Sequence, residues 1–371
     1  MMSTTKTTNS GTTPPGTLGL PPHLSQLVAD FELPTSLGFG QVMAPIMVVS
    51  DFSDGQWSAP TTVSYQPLVL DPACKSLHYG QLIFEGMKTF RLNDGRVALF
   101  RPELNARRFN TSARRMAMPE LPEELFLQAV SSLSYHLRSI VPCGHGESLY
   151  LRPLMLATDV GLSLKPASTY KFLVIASPSG AYFASGKVTA LIERLDARAA
   201  PGGTGAYKVA GNYGSSIRAD IKATHLNCQQ TLWLDAVNKT HIEEFSGMNF
   251  FAVIDGALWT PPLCDSILGG VTRDSVIHLA HGMGLRVNEA PIPIETLLAA
   301  IRNGTCTELF ACGTAAVISP VHALAERDGT VYELPVLEFE LSISLKLRKL
   351  LVDIQNGAHL TNYDWIRPVT P

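Results

Sequence analysis

Lys208 stands inside GTGAYKVAGNYGSS (residues 203–216), among glycines, alanines, an asparagine and two tyrosines, where neither a helical nor a strand period is present. A surface lysine needs no such setting. Lysine attacks carbonyl carbons when a desolvated position lowers its pKa toward neutrality, so this placement points to covalent chemistry on a carbonyl group. Ala210 and Gly211 would let a flat group lie against the backbone, and Asn212 and Tyr213 bring an amide and a phenol close by.

Three further stretches suit one particular carbonyl compound, pyridoxal 5'-phosphate (PLP). That cofactor asks for a lysine, an acid at its pyridine nitrogen, a hydrogen bond to its ring oxygen and a cup for its phosphate. HIEEFSGMNFF (241–251) carries Glu243 and Glu244 just before a small-residue turn and an apolar strand. A carboxylate there would keep a pyridine nitrogen protonated and make the ring an electron sink. DSILGGVTRDS (265–275) reads as a glycine-rich loop entering a helix, with Thr272 near its start. Free amides and the helix dipole make such a terminus an anion site. ACGTAA (311–316) sets Thr314 in a second small-residue turn. Each feature alone is more simply a cap or a surface carboxylate. Their order in one chain favours the cofactor.

Other chemistries lack their residues. No G-x-x-x-x-G-K-[ST] loop, no G-x-G-x-x-G after a strand and no G-x-S-x-G elbow occurs. His278 and His281 lie three apart on a helical pattern without a third ligand, so no metal is expected. Cys74, Cys143, Cys228, Cys264, Cys306 and Cys312 are scattered without a C-x-x-C pair, as in a reduced, cytoplasmic protein.

The elements that must position these residues follow from periodicity. Phe126, Val130, Leu133, Leu137 and Ile140 recur at spacings of 4, 3, 4 and 3, which predicts an amphipathic helix over 122–140. An Arg-rich helix is expected from Asn105 to Met118, stopped by Pro119. GRVALF, SLYLRPLMLA and KFLVIASP read as strands, as do VTALIER, QTLWLD, NFFAVID and TELFAC in the second half. Further helices are expected near 272–284, 293–303 and 337–355. Strands and helices without a strict βαβ rhythm predict an α/β fold of mixed α+β type.

A length of 371 residues argues for two domains. Residues 1–37 are expected to form a disordered or extended tail, and 38–178 a small α+β domain. A linker over 179–187 then leads to a large domain over 188–371. The opening segment, rich in Thr, Gly and Pro, lacks the apolar core of a signal peptide, and no apolar run reaches the length of a membrane span. With a net charge of −3 and no basic stripe, neither nucleic acid nor membrane is expected as a partner. Only 16% of residues are charged, which suggests surface buried between domains or subunits.

LHYGQLIFEGMKTFR (77–91), LFRPELNARRF (99–109), LYLRP (149–153), GAYF (180–183), YKVAGNYGSS (207–216), EEFSGMNFF (243–251), ILGGVTR (267–273) and GTAAVISPV (313–321) occur in the order found in one family. From about residue 38 to its end the chain closely resembles the branched-chain amino acid aminotransferases of PLP fold type IV. The resemblance implies a two-domain fold with the active site between the domains. It also implies a homodimer, since relatives complete the site with a neighbouring subunit. Lys208 would hold PLP covalently and then shuttle the substrate proton. Tyr213 would bond the ring oxygen and Glu244 the ring nitrogen, with Glu243 as the alternative. Arg108, Val271, Thr272 and Thr314 would bind the phosphate, and Leu268 would pack on the ring. Tyr79, Phe84, Tyr150 and Tyr182 would wall the side-chain pocket. The backbone at Thr314 and Ala315 would take the α-carboxylate, and Arg152 the distal carboxylate of glutamate.

Such a pocket must bury an aliphatic side chain, worth roughly 1.5–3 kcal/mol, and also pair a carboxylate that would be costly alone. The implied reaction moves the amino group of leucine, isoleucine or valine to 2-oxoglutarate in a ping-pong cycle. Two relatives of the same fold, D-amino acid aminotransferases and aminodeoxychorismate lyases, share the lysine region, and an inactive homologue would be a rival of another class. Ala316 and Ser319 stand where some relatives carry a redox C-x-x-C, so no thiol switch is expected there.

Overall fold

Residues 19–144, 146–180, 187–359 and 363–370 are described by a computed structural model. Within them the chain builds two β-sheets in succession. Ile46–Ser53, Met87–Arg91, Val97–Phe100, Ser148–Ala157 and Tyr170–Ser179 form the body of the first, and its pairings are all antiparallel. In the second, Thr189–Glu193 runs parallel to Gln230–Leu234 and to Ala323–Ala325, while Met248–Ile254 and Cys306–Gly313 pair antiparallel at its centre. The fold is mixed α/β with two domains.

One face of the first sheet is covered by the helices Pro102–Arg115 and Glu123–His136. Phe109, Phe126 and Phe172 meet there with ring centroids 5.5–6.0 Å apart, all buried. The expected helix over 122–140 ends at His136 and continues as a 3-10 turn, Arg138–Ile140, yet all five of its periodic residues are buried. The Arg-rich helix starts three residues before Asn105, because Pro102 fits a first turn, which has no use for its missing N–H.

NFFAVI reads as continuously apolar because its strand is buried on both faces. Phe250 and Ala252 face the helix Ile294–Arg302, whereas Phe251 and Val253 face Val271–Gly282 and Ile343–Gln355. The last helix begins at Ile343 rather than near 337. Glu308 sets that start: its carboxylate accepts from the amides of Ile343 and Ser344 and from the hydroxyls of Ser342 and Ser344.

Three expected boundaries need correction. The segment 1–37 is not all tail, since Pro22–Ala29 is a helix that buries Leu24 and Val28 in the first core. The strand Tyr170–Ser179 runs into the start of the expected linker, of which 181–186 lie outside the described residues. Nor does all of 188–371 stay with the second sheet: Ile366–Pro368 returns to pair with Val97–Phe100 at the edge of the first, and Trp365 packs on Phe100. Among the described residues no helix is long and apolar enough to cross a membrane, no group of side chains has the make-up of a metal site, and the six cysteines are free.

Candidate active site

A cavity of about 440 Å³ opens between the two sheets, and Lys208 lies in its wall. The backbone of Lys208 is gripped from the first domain. Its amide donates to Ser112 Oγ at 3.0 Å, and its carbonyl accepts from the Phe84 amide at 3.1 Å. Gly205 packs against Ser266 so closely that a Cβ there would collide with its backbone. The Asn212 side chain is spent on this segment, bonding the carbonyls of Thr204 and Tyr207. These contacts explain the irregular, small-residue stretch: it is a fastening that presents one amine. Lys208 Nζ donates to the Tyr213 hydroxyl at 2.9 Å and sits 4.7 Å from the centroid of the Phe84 ring.

At one end of the cavity the helix Val271–Gly282 begins at Gly270 with no side-chain cap. Its first amides therefore have no partner within the helix. Gly270 is required there, because a Cβ would run into Asn249 Oδ1. Arg108 reaches this terminus, donating to the Gly269 carbonyl at 3.0 Å. Its other edge is held by Glu85 at 2.7 and 2.8 Å, with Asn105 donating to the same carboxylate at 2.8 Å. Burial pushes the Glu85 carboxyl up, but the Arg108 guanidinium outweighs it and holds the group below its ordinary value. The result is a fixed cation beside a free helix N-terminus, the donor set of a phosphate cup.

Glu244 lines the cavity as well and is almost wholly buried. Arg198 lies 3.2 Å from it, the Leu268 amide donates at 3.3 Å and Asn249 at 3.2 Å. Burial dominates and lifts its pKa to about 7, against the pull of Arg198 and the Leu268 amide. Glu243 bonds Ser266 instead and is also raised by burial. Of the two, Glu244 is the one in the cavity wall. An anion cup, an amine paired to a phenol, and a carboxyl fit the phosphate, aldehyde, ring oxygen and ring nitrogen of PLP.

Lys208, Arg108, Tyr213, Glu244, Leu268, Val271, Thr272, Thr314, Phe84, Tyr150, Arg152 and Ala315 all line this cavity. Arg152 donates to the Tyr150 hydroxyl at 2.8 Å and lies 4.7 Å over the Phe84 ring, while its Nε is buried without a partner. Thr314 donates its hydroxyl to the Gly86 carbonyl at 3.1 Å. Tyr79, expected in the pocket wall, is not among the residues of the same chain that line this cavity. The helix Lys75–Tyr79 ends at Gly80 (φ 65°), and the Tyr79 hydroxyl bonds the Leu162 carbonyl on a partly exposed face. Tyr182 lies outside the described residues.

The sequence reading passed over Glu85, Arg198 and Asn249. Glu85 lay inside the quoted FEG stretch, and a carboxylate set in an apolar run ahead of an Arg-rich helix is a signal for its partner. Arg198, in the segment LDARAAPGGTG, carries no local pattern.

Residues 82–324 match the family model described as amino-transferase class IV. The chain is 42% identical over 338 residues to the branched-chain-amino-acid aminotransferase of Mycolicibacterium smegmatis, covering 89% of this chain and 91% of that one. It is 43% identical over 337 residues to branched-chain-amino-acid transaminase 1 of Bacillus subtilis, with 90% and 94% covered. The crystal structure of the T.th. branched-chain amino acid aminotransferase with pyridoxamine 5'-phosphate superposes with a TM-score of 0.69 at 25% identity, covering 86% and 98%. The chain belongs to the class-IV aminotransferases, and within them to the PLP-dependent branched-chain-amino-acid aminotransferases.

Proposed function

We propose that this cavity performs both halves of the reversible amino-group exchange between branched-chain L-amino acids and 2-oxoglutarate, with Lys208 as the group that moves the proton. The observation that carries the assignment is the Lys208–Tyr213 pair at 2.9 Å, in a cavity whose wall also carries Glu244 and Arg108. Bound PLP supplies an electron sink that weakens the Cα–H bond of the substrate and stores its amino group. Arg108 and the amides of Val271 and Thr272 bind the phosphate dianion. Glu244 holds a proton at the ring nitrogen, and Tyr213 donates to the ring oxygen. The Lys208 amine would take the proton from the substrate Cα and hold it for return.

Phe84 and Tyr150 exclude water from an aliphatic side chain. Arg152 and the Tyr150 hydroxyl receive the distal carboxylate of glutamate, so one pocket serves both substrates. The turn at Thr314 and Ala315 takes the α-carboxylate. The two sheets act as a smaller and a larger domain. Tyr79 bonds the exposed Leu162, and the same segment also exposes Val160 and Leu164, an apolar stretch that supports pairing with a second copy as a homodimer. Free thiols at all six cysteines support a reducing cytoplasm.

The test is the visible spectrum of the PLP-loaded protein. L-leucine should abolish the band of the lysine-bound cofactor and 2-oxoglutarate should restore it, with no response to D-alanine. A response to D-alanine alone would place the enzyme on the D-amino acid branch, and no response to either would favour a lyase or an inactive homologue.

A further inference from the structure

Lys88 has no place in the chemistry above, yet it is among the most buried lysines in the chain, 4% exposed. It pairs with Tyr150 across the strands Met87–Arg91 and Ser148–Ala157, so the two side chains leave the same face of the sheet. Its ammonium donates to the Ala315 carbonyl at 2.9 Å. Two residues earlier the Gly86 carbonyl receives the Thr314 hydroxyl. One stretch of the first domain therefore grips two consecutive residues of a turn in the second.

That turn resists its shape. Val317, at its end, has φ 62°, a left-handed value that a β-branched residue adopts only under restraint. Lys88 acts from behind: it borders a separate cavity of about 20 Å³ with Asn105, Gln355 and Thr314, whereas Ala315 faces the main one and Thr314 lies in the wall between the two. A buried ammonium with one neutral acceptor is costly, and an apolar residue would fill the place at less expense. Gln355 Oε1, unpartnered and buried on the small cavity, leaves room for one bridging water.

We propose that Lys88 is a positioning residue: its buried ammonium fixes the backbone at Ala315 from behind, aims the turn's amides at the substrate α-carboxylate, and adds a positive charge to that subsite. The proposal rests on the reading that the turn at Thr314 and Ala315 binds the α-carboxylate. Burial, and then the Arg348 guanidinium on the helix Ile343–Gln355, lowers the Lys88 pKa to about 8. The other ionisable groups near it are Tyr150 across the sheet and the Glu85–Arg108 pair at the head of its strand; the small cavity adds only uncharged side chains. The ammonium is present below about pH 8 and lost above it, so carboxylate affinity should fall as pH rises through that value.

The experiment compares Lys88→Met and Lys88→Arg with the wild-type holoenzyme. In Lys88→Met, KM should rise about 10- to 100-fold for both L-leucine and 2-oxoglutarate, which share the α-carboxylate, with a smaller change in kcat and an unchanged PLP dissociation constant. Calorimetric binding of 4-methylvalerate, a carboxylate without an amine, should weaken by the same factor. Lys88→Arg should keep most of the affinity and lose the weakening above about pH 8, which tests the charge even if the Met variant folds poorly. A Lys88→Met enzyme with a lower Tm but unchanged KM and 4-methylvalerate affinity would overturn the proposal. A wild-type enzyme inert toward leucine would strike the function reading instead, and 4-methylvalerate binding would still decide the role of Lys88.

Discussion

Replacing Glu244 by Gln tests the electrostatics of the site before any cofactor is present. Its carboxyl is raised from 4.5 to about 7, chiefly by burial, and the side chain is almost wholly out of solvent. A raised carboxyl pKa means that the folded state holds the proton more tightly than the unfolded chain. Stability from this group is complete below about pH 4.5 and is lost as pH rises through about 7. The interval corresponds to about 3 kcal/mol. Urea unfolding of the cofactor-free wild type and Glu244→Gln, compared from about pH 4.5 to about pH 8, should show a difference that shifts by that amount in favour of the variant. Leaving Arg198 without its carboxylate adds an offset to the variant, so the pH dependence, not the absolute gap, carries the test. PLP should reverse the trend, because a pyridinium beside Glu244 favours its ionised form. A difference flat across the interval would refute the account of a desolvated, half-neutral carboxyl.

Two other substitutions probe the ends of the cavity. Arg152→Met should reduce kcat/KM for glutamate about 10- to 100-fold while leucine changes little, since only glutamate needs the guanidinium; steady-state kinetics with both substrates would check it. Gly270→Ala should weaken PLP binding about tenfold or more, read by equilibrium dialysis, because the new methyl group displaces Asn249 and with it the neighbours of Glu244.

What the sequence disclosed depends on how local each signal is. Lys208, Glu244 and the glycine-rich entry at Gly269–Gly270 were legible together, because each sits in a short stretch and the three follow in order along the chain. Phe126 to Ile140 were legible because one helix face meets one sheet. Arg198 was not, since its role is set by Glu244, a residue 46 positions away and meaningful only once the loop and the strand Ile242–Phe245 are apposed. Glu308 capping a helix 35 residues later, and Ile366–Pro368 closing the first sheet, are likewise contacts at long separation that leave no period in the chain.

The return of Ile366–Pro368 to the first sheet orders events during synthesis. Its partner strand, Val97–Phe100, is made some 270 residues earlier and must wait at an open edge until residues 366–368 are made. The cofactor cup has the same dependence, for Arg108 and Glu85 are early while Gly269 and Thr314 are late. A nascent chain therefore has no complete cup for PLP until Thr314 has been made. Ribosomes stalled short of residue 269 should display a first domain that exposes its edge and captures no cofactor.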